Sequence, residues 1–260
     1  PDRANSPDDK NPIYTRNPYH EVTFSALYGI SKETENALRE GKGGRLKTSL
    51  RNGEEYPPML KDVPVEHNYK PYTPEDERYA LGNPSFSMSS GLVVWQTIFL
   101  REHNRVAGLL QKKYPFWDDE RIYQTTRLIM ISILHKVVLK DYVQHLGALH
   151  LKIDYDPPMF YDVAPYGVNR YRVEFNHLYH WHGLVPDWWV VNETRYENDE
   201  FYYRNILLNK YSISDLIDSF SRQWAGDIVR HNFGSSVEHV VVEVIKHGRE
   251  LRLRPLNEYR

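Results

Sequence analysis

Apolar residues recur at helical spacing in two long stretches of this chain and thin out around them. The first runs from Leu92 to Leu110, behind Ser89 and Ser90, either of which is able to cap a helix, and Val94, Ile98, Leu100 and Leu109 supply its buried stripe. The second runs from Asp119 to Leu146, where Tyr123, Leu128, Ile131, His135, Leu139, Tyr142 and Leu146 follow at intervals of three or four. Weaker helical patterns cover Phe24 to Leu38, Ser214 to Trp224 and Ser236 to Ile245, the last with Ser235 and Glu238 at capping-box spacing. Extended structure is predicted in two places: Arg45 to Leu50, turning at Asn52-Gly53 into Glu55-Tyr56, and Trp188 to Val191. Prolines 57, 58, 64, 71 and 74 enforce an irregular segment, and residues 152 to 171 read as a long connection. Residues 1 to 24 carry no periodic pattern and read as an extended lead-in. The pattern as a whole predicts a mainly α fold with one principal domain over residues 25–260.

Composition narrows the chemistry. A formal net charge of −2 over 260 residues gives no field to hold a polyanion, which argues against nucleic acid as a partner. The absence of cysteine removes thiolate haem ligation, thiolate zinc sites, cysteine nucleophiles and disulfides together. The most apolar run, Leu128 to Leu139, is interrupted by His135 and Lys136 and is too short to span a bilayer. Gly41-Lys42-Gly43-Gly44 reads as a turn, without the spacing of a phosphate-binding loop. With neither an initiator methionine nor an apolar leader, the chain is expected to be part of a longer polypeptide.

The chemistry concentrates in Phe175-Asn176-His177-Leu178-Tyr179-His180-Trp181-His182. On a helix, Phe175, Leu178, Tyr179 and His182 share one face, placing a phenol and an imidazole together on an apolar surface. Three readings follow. Both are core residues whose polar tips find partners; or His182 is an axial ligand to haem iron with Tyr179 as a redox-active phenol one turn away; or His180 and His182 form an H-x-H pair on a strand and hold zinc with a third ligand. Elsewhere, the polar run Arg101-Glu102-His103-Asn104-Arg105 reads as a solvated turn of helix with Arg101, Glu102 and Arg105 in local ion pairs. Asn192-Glu193-Thr194 matches the N-glycosylation acceptor pattern.

Several segments together resemble the prostaglandin endoperoxide synthases, the cyclooxygenase branch of the animal haem peroxidases: Leu100 through Val106, Asp141 through Leu146, Glu174 through His182, Ser221-Arg222-Gln223, and Leu256 through Arg260. They occur in the family's order over most of residues 25 to 260. The resemblance implies a large, mainly helical haem-dependent peroxidase domain, here its central part. It implies haem b as cofactor, with His182 as the proximal ligand and Tyr179 as the tyrosine that carries the catalytic radical. Tyr142 matches the tyrosine that hydrogen-bonds the radical tyrosine, and Val143, Leu146, Phe175 and Trp181 match residues lining the fatty-acid channel. The implied activity uses a hydroperoxide to generate the radical, which then starts dioxygen addition to arachidonate and yields prostaglandin endoperoxide. The family's distal haem residues, its carboxylate-anchoring arginine and the serine acetylated by aspirin fall in parts of the family's chain outside this sequence and are not assigned. Leu149 and Gly147 stand where the family usually has tyrosine and serine, and Ser85, Ser87, Met88 and Ser89 replace a mostly apolar run. His180 favours a cyclooxygenase over related oxylipin-forming dioxygenases, which tend to have arginine there; a non-catalytic haem-peroxidase-like protein is the alternative from another class. The resemblance also implies a homodimer on the luminal face of the endoplasmic reticulum membrane, attached through segments absent from this sequence.

Overall fold

The two long predicted stripes fold as helices, the weaker pattern over Phe24 to Leu38 as two short ones, and the helices are joined by loops whose backbone is held by buried polar side chains. The computed structural model describes residues 23–147, 152–156, 158, 173–227, 229 and 232–260. Most of the lead-in expected over 1–24, and Leu149, lie outside the described residues. In chain order the elements are α1 (Ser25–Tyr28), α2 (Lys32–Leu38), β1 (Ser49–Arg51), β2 (Glu54–Tyr56), α3 (Ser90–Lys113), α4 (Asp119–Val137) and α5 (Gln144–Leu146). There follow α6 (Val173–Leu178), β3 (Trp188–Val191), β4 (Thr194–Glu197), α7 (Asn198–Phe201), α8 (Ile206–Lys210), α9 (Ile213–Ser221), α10 (Glu238–Glu250) and α11 (Leu256–Tyr259). The strands form two antiparallel ribbons, β1 with β2 and β3 with β4. The chain divides into two compact units, one of Val22–Ala164 with Asp199–Asp218, the other of Pro1–Glu21, Pro165–Asn198 and Ser219–Arg260.

In the first unit α3 packs on α4. The core joins Leu27 and Tyr28 of α1 to Leu38, Leu46, Leu100 and Val106, and to Tyr123 and Met130 of α4. Ser89 caps α3 by accepting from Leu92 N, and Asp118 caps α4 by accepting from Arg121 N at 2.8 Å. The polar run in α3 is not a solvated turn. Glu102 and Arg105 do pair at the surface, but His103 and Asn104 are buried. Asn104 offers its carboxamide to both backbone groups of Leu46, Oδ1 accepting at 2.8 Å and Nδ2 donating at 3.0 Å, so it stands in for a strand partner. Arg101 reaches out to β2, donating to Glu55 O at 2.6 Å and Glu54 Oε2 at 3.0 Å.

His103 has a single self-consistent tautomer. The Gly44 carbonyl, 2.8 Å from Nε2, accepts only, so Nε2 carries the proton and Nδ1 accepts from the Tyr28 hydroxyl at 2.9 Å. Burial holds this imidazole neutral, pushing its pKa down from 6.5 to about 4, and raises that of Tyr28. The predicted glycine turn is equally constrained. Gly44 has φ +67°, and a Cβ there would stand 2.6 Å from both Ile122 Cγ2 and Tyr123 N. A second buried node is Glu77, which accepts from Arg204 Nε at 2.8 Å and Asn205 N at 2.9 Å. It ties residues 199–218 into this unit, helped by hydroxyls of Ser90 and Thr73 donating to the carbonyls of Arg204 and Tyr203 at 2.7 Å.

The second predicted helix departs from its pattern in two ways. Leu128 is 66% exposed, because Ile122, Tyr123, Thr126 and Met130 take the buried side. From Val138 to Val143 the turn is π-helical, with Gln144 N donating to Leu139 O five residues back. The wider turn shifts the face on which Tyr142, Val143 and Leu146 lie relative to α4, so they do not extend its stripe. Lys140 Nζ to Asp154 Oδ1 and Ile153 N to Gln144 Oε1, both at 2.6 Å, secure residues 153 and 154 against this turn.

In the second unit the predicted extended stretch is β3, paired with β4 so that Val191 faces Thr194 and only Asn192-Glu193 remain as the loop. Both loop residues are left-handed, with φ 45° and 65°, as a two-residue type I′ turn requires. The capping box over Ser235 and Glu238 does not form: α10 starts at Glu238 with Val237 at the N-cap and no side-chain cap.

Two outcomes are expected. The unfolded chain binds a proton at His103 before the folded one does, so this residue's contribution is intact above pH 6.5 and is lost as the pH falls toward 4, to the extent of about 3 kcal/mol. Urea unfolding of the full-length protein across that range will therefore give a steeper loss for wild type than for His103→Gln; equal slopes would refute the assignment. Glutamate at a left-handed turn position is strained, so Glu193→Gly will stabilise by about 1 kcal/mol in thermal unfolding, and destabilisation would show the turn is held otherwise.

Candidate functional site

The segment Phe175 to His182 is not one helix. Tyr179 N makes the last α-type bond, to Phe175 O at 3.0 Å; Trp181 N then turns back to Tyr179 O at 3.1 Å, and a short 3-10 turn covers His182–Leu184. The expected single face through Phe175, Tyr179 and His182 is therefore corrected. Pro186 downstream lacks the N–H that would continue a helix, and Gly183 lets the turn pack where a side chain cannot go. A Cβ on Gly183 would lie 2.9 Å from Asn232 O, and one on Gly226 would lie 2.2 Å from Gly183 O. Asn232 Nδ2 donates to Gly183 O at 3.2 Å, and Gly226 N to Leu184 O at 3.0 Å. These contacts fix the turn that carries His182.

Stopping the helix changes what the aromatic groups touch. Tyr179 and Trp181 stack at 4.5 Å between centroids, and the Phe175 ring lies 5.5 Å from that of Tyr179. In a continuous helix, residues two apart point about 200° away from each other. The phenol's ring contacts thus come from its own segment, with Tyr179 44% and Phe175 54% exposed. Tyr142, Val143 and Leu146 belong to the other compact unit, where Tyr142 and Leu146 are also exposed.

Histidines gather around the turn. The ring of His182 is 5.5 Å from that of His180, which is 5.8 Å from His177, and His177 is 5.1 Å from His247 of α10. Burial, and then the neighbouring His180 and His239, lower the pKa of His182; burial and His247 do the same for His177. His182 thus keeps a neutral imidazole with a lone pair, the form that ligates metal. Among the described residues, nothing hydrogen-bonds the buried His177 Nε2 and His180 Nδ1. No group of three or more His, Cys, Asp or Glu among the described residues is arranged to hold a metal ion, so the H-x-H pair lacks a third zinc ligand there. A haem asks for less from this side: one neutral axial imidazole and apolar surface beside it. His182 meets the first need; beside His180, Val240 and Val244 share a cleft of about 370 Å³ with Glu243, Lys246, His247 and Glu250, so the surface there is mixed and not wholly apolar. The neutral imidazole of His182 fits the group as its ligand.

Two positioning residues escaped the sequence reading as individuals. Gln223 accepts from Val190 N at 2.9 Å and donates to Val190 O at 2.8 Å, clamping the edge of β3. Asn198 accepts from Trp189 Nε1 at 2.9 Å and donates to Pro186 O at 3.2 Å and Ser236 Oγ at 3.0 Å. Gln223 sits within Ser221-Arg222-Gln223, a segment that carries the resemblance; Asn198, Gly226 and Asn232 have no local signal.

Residues 14–252 match the family model of the animal haem peroxidases. The chain is 40% identical over 252 residues to prostaglandin G/H synthase 2 of Equus caballus, covering 96% of this chain and 42% of the relative. It is 43% identical over 250 residues to prostaglandin G/H synthase 1 of Oryctolagus cuniculus, covering 96% and 41%. The chain thus spans about two fifths of the length of these curated relatives. Its fold is similar to the crystal structure of Oryza sativa fatty acid alpha-dioxygenase, with a TM-score of 0.72 at 17% identity over 92% of this chain and 46% of that one.

The electrostatic coupling among the histidines is directly testable. Replacing His180 by Gln removes a charge that disfavours protonation of His182, so the His182 midpoint will move up toward 6.5 in NMR titration of the haem-free full-length protein. An unchanged or lower midpoint would mean that the two rings do not interact.

Proposed function

Since the chain belongs to the animal haem peroxidase family, we propose that it supplies the radical tyrosine and the proximal ligand of a haem-dependent fatty-acid dioxygenase and peroxidase of the prostaglandin G/H synthase type. The observation that carries this reading is the turn itself: Tyr179, stacked on Trp181, precedes by three residues an imidazole kept neutral by burial. The 40% identity to prostaglandin G/H synthase 2 supports it.

In this reading His182 would hold haem b through its neutral ring. Bound haem supplies oxidising equivalents taken from a hydroperoxide. Tyr179 gives up one electron and its phenolic proton and becomes a phenoxyl radical. The radical oxygen takes a hydrogen atom from a bis-allylic carbon of arachidonate, which restores the phenol and leaves a carbon radical that adds dioxygen. The exchange is close to thermoneutral because the O–H formed and the doubly allylic C–H broken are similar in strength. By the family resemblance, Tyr142 is the counterpart of the tyrosine that orients the radical phenol, and Val143, Leu146, Phe175 and Trp181 are the counterparts of residues that line the acyl-chain path and keep competing reductants away. Ring closure, addition of a second dioxygen and return of a hydrogen atom from Tyr179 give a prostaglandin endoperoxide that carries a hydroperoxide group, a substrate for the peroxidase chemistry that bound haem would supply. Residues 25–260 form part of the catalytic domain. The full protein acts as a homodimer at the endoplasmic reticulum membrane, on its luminal face; no helix among the described residues is long and apolar enough to cross a bilayer.

The decisive comparison is wild type against Tyr179→Phe in the full-length haem-reconstituted protein, with peroxidase turnover and arachidonate oxygenation measured side by side. Oxygenation is expected to fall by at least two orders of magnitude while peroxidase turnover stays within a few-fold, an amount corresponding to about 3 kcal/mol of transition-state stabilisation. Oxygenation that survives the substitution would remove the radical from Tyr179, and a wild type without either activity would point to a non-catalytic member of the family.

A further inference from the structure

We propose that Asn192, at the tip of the β3–β4 hairpin, is an N-glycosylation site. The chain contains two Asn-x-Ser/Thr triplets, Asn83-Pro84-Ser85 and Asn192-Glu193-Thr194. They differ in every property that matters for modification. Proline at the middle position bars the first from acting as an acceptor. Its asparagine is also occupied, with Oδ1 accepting from Ser85 N at 2.9 Å at the start of a 3-10 turn. The second triplet has glutamate in the middle, and Asn192, Glu193 and Thr194 are all exposed.

The hairpin presents this triplet to solvent. Asn192 and Glu193 form the whole loop, and their left-handed backbone, φ 45° and 65°, projects them beyond the last strand pair, Val191 with Thr194. Only the backbone N of Asn192 is engaged, donating to Ser219 Oγ at 3.4 Å; its carboxamide makes no hydrogen bond among the described residues. The base of the hairpin is firm: Val191 and Tyr196 are buried, Gln223 clamps Val190, and Arg195 lies 4.2 Å over the Trp188 ring. A bulky hydrated branch on the tip meets open water and asks nothing of that base.

The transfer needs a co-substrate of one class, an oligosaccharide diphosphate carried on a polyisoprenoid lipid. The Asn192 carboxamide nitrogen forms a bond to the anomeric carbon of the first sugar and loses one proton. The bond from that carbon to the diphosphate oxygen breaks, and the lipid diphosphate leaves. No redox change occurs. The proposal rests on the luminal location put forward above and on nothing at Tyr179 or His182.

The test uses the full-length protein made in a eukaryotic host with a secretory pathway. Peptide mass mapping after enzymatic deglycosylation in heavy-oxygen water will find Asn192 converted to labelled aspartate, and Asn83 unlabelled. Asn192→Asp, which keeps a residue tolerant of the left-handed turn, and Thr194→Ala will each remove one glycan from the gel mobility of the protein. Thr194→Ser restores the acceptor pattern and will retain the glycan. Unlabelled Asn192 in protein protected from protease inside sealed microsomes would overturn the site itself. Unlabelled Asn192 in protein open to protease would overturn it through the luminal premise. Arachidonate oxygenation measured on the same preparations reads the catalytic proposal separately, and Thr194→Ala is expected to leave it unchanged.

Discussion

A loop-rich chain with only two short ribbons among its described residues must find hydrogen-bond partners for buried backbone that no sheet supplies. Side chains meet that need in both compact units. Asn104 pairs with both backbone groups of Leu46, as a neighbouring strand would, and Gln223 does the same for Val190. His103, Glu77 and Asn198 each gather groups distant in sequence. These are single residues, and each removal orphans two or more buried groups, at roughly 1–3 kcal/mol apiece. The fold thus depends on a few polar residues as much as on its apolar stripes.

His103 illustrates how strictly such a node is defined. A carbonyl on one side dictates the tautomer, and the tautomer dictates that Tyr28 donates on the other. Protonation would put two N–H groups into a site with one acceptor and one donor, beside Arg39 and Arg45, whose charges also disfavour it. The same residue joins α1, the Gly44 turn and α3. Gly44 has no room for a side chain against α4, so the geometry around His103 is constrained from both ends.

Apolar spacing made α3, α4 and the hairpin at Asn52-Gly53 legible, because stripes and turn residues act locally. It misassigned His103 and Asn104, since a polar residue in a helix looks solvated until its distant partner is known. Helical spacing also overran at Tyr179. The eight residues suit a helix, yet the turn is set by Gly226 and Asn232, more than forty positions away, and by close approach at Gly183. Capping-box spacing at Ser235 failed for a related reason: neighbouring Ser236 is drawn to Asn198, and the helix begins after Val237. The identities of Tyr179 and His182 as chemically distinctive residues were legible; their arrangement was not.

That arrangement bears on what the tyrosine is able to do. A continuous helix would separate the Tyr179 and Trp181 rings by half a turn or more, whereas the observed reversal stacks them at 4.5 Å and leaves His182 on a separate short turn. A phenol stacked on a neighbouring indole has one face covered, so packing as well as hydrogen bonding bears on where its oxygen points. The ligand and the phenol are then set by different contacts: the aromatic stack orients Tyr179, and the Gly183–Gly226–Asn232 interlock orients His182. Two groups positioned independently tolerate substitution independently. This is the structural condition under which loss of the phenol leaves the ligand, and whatever it binds, in place.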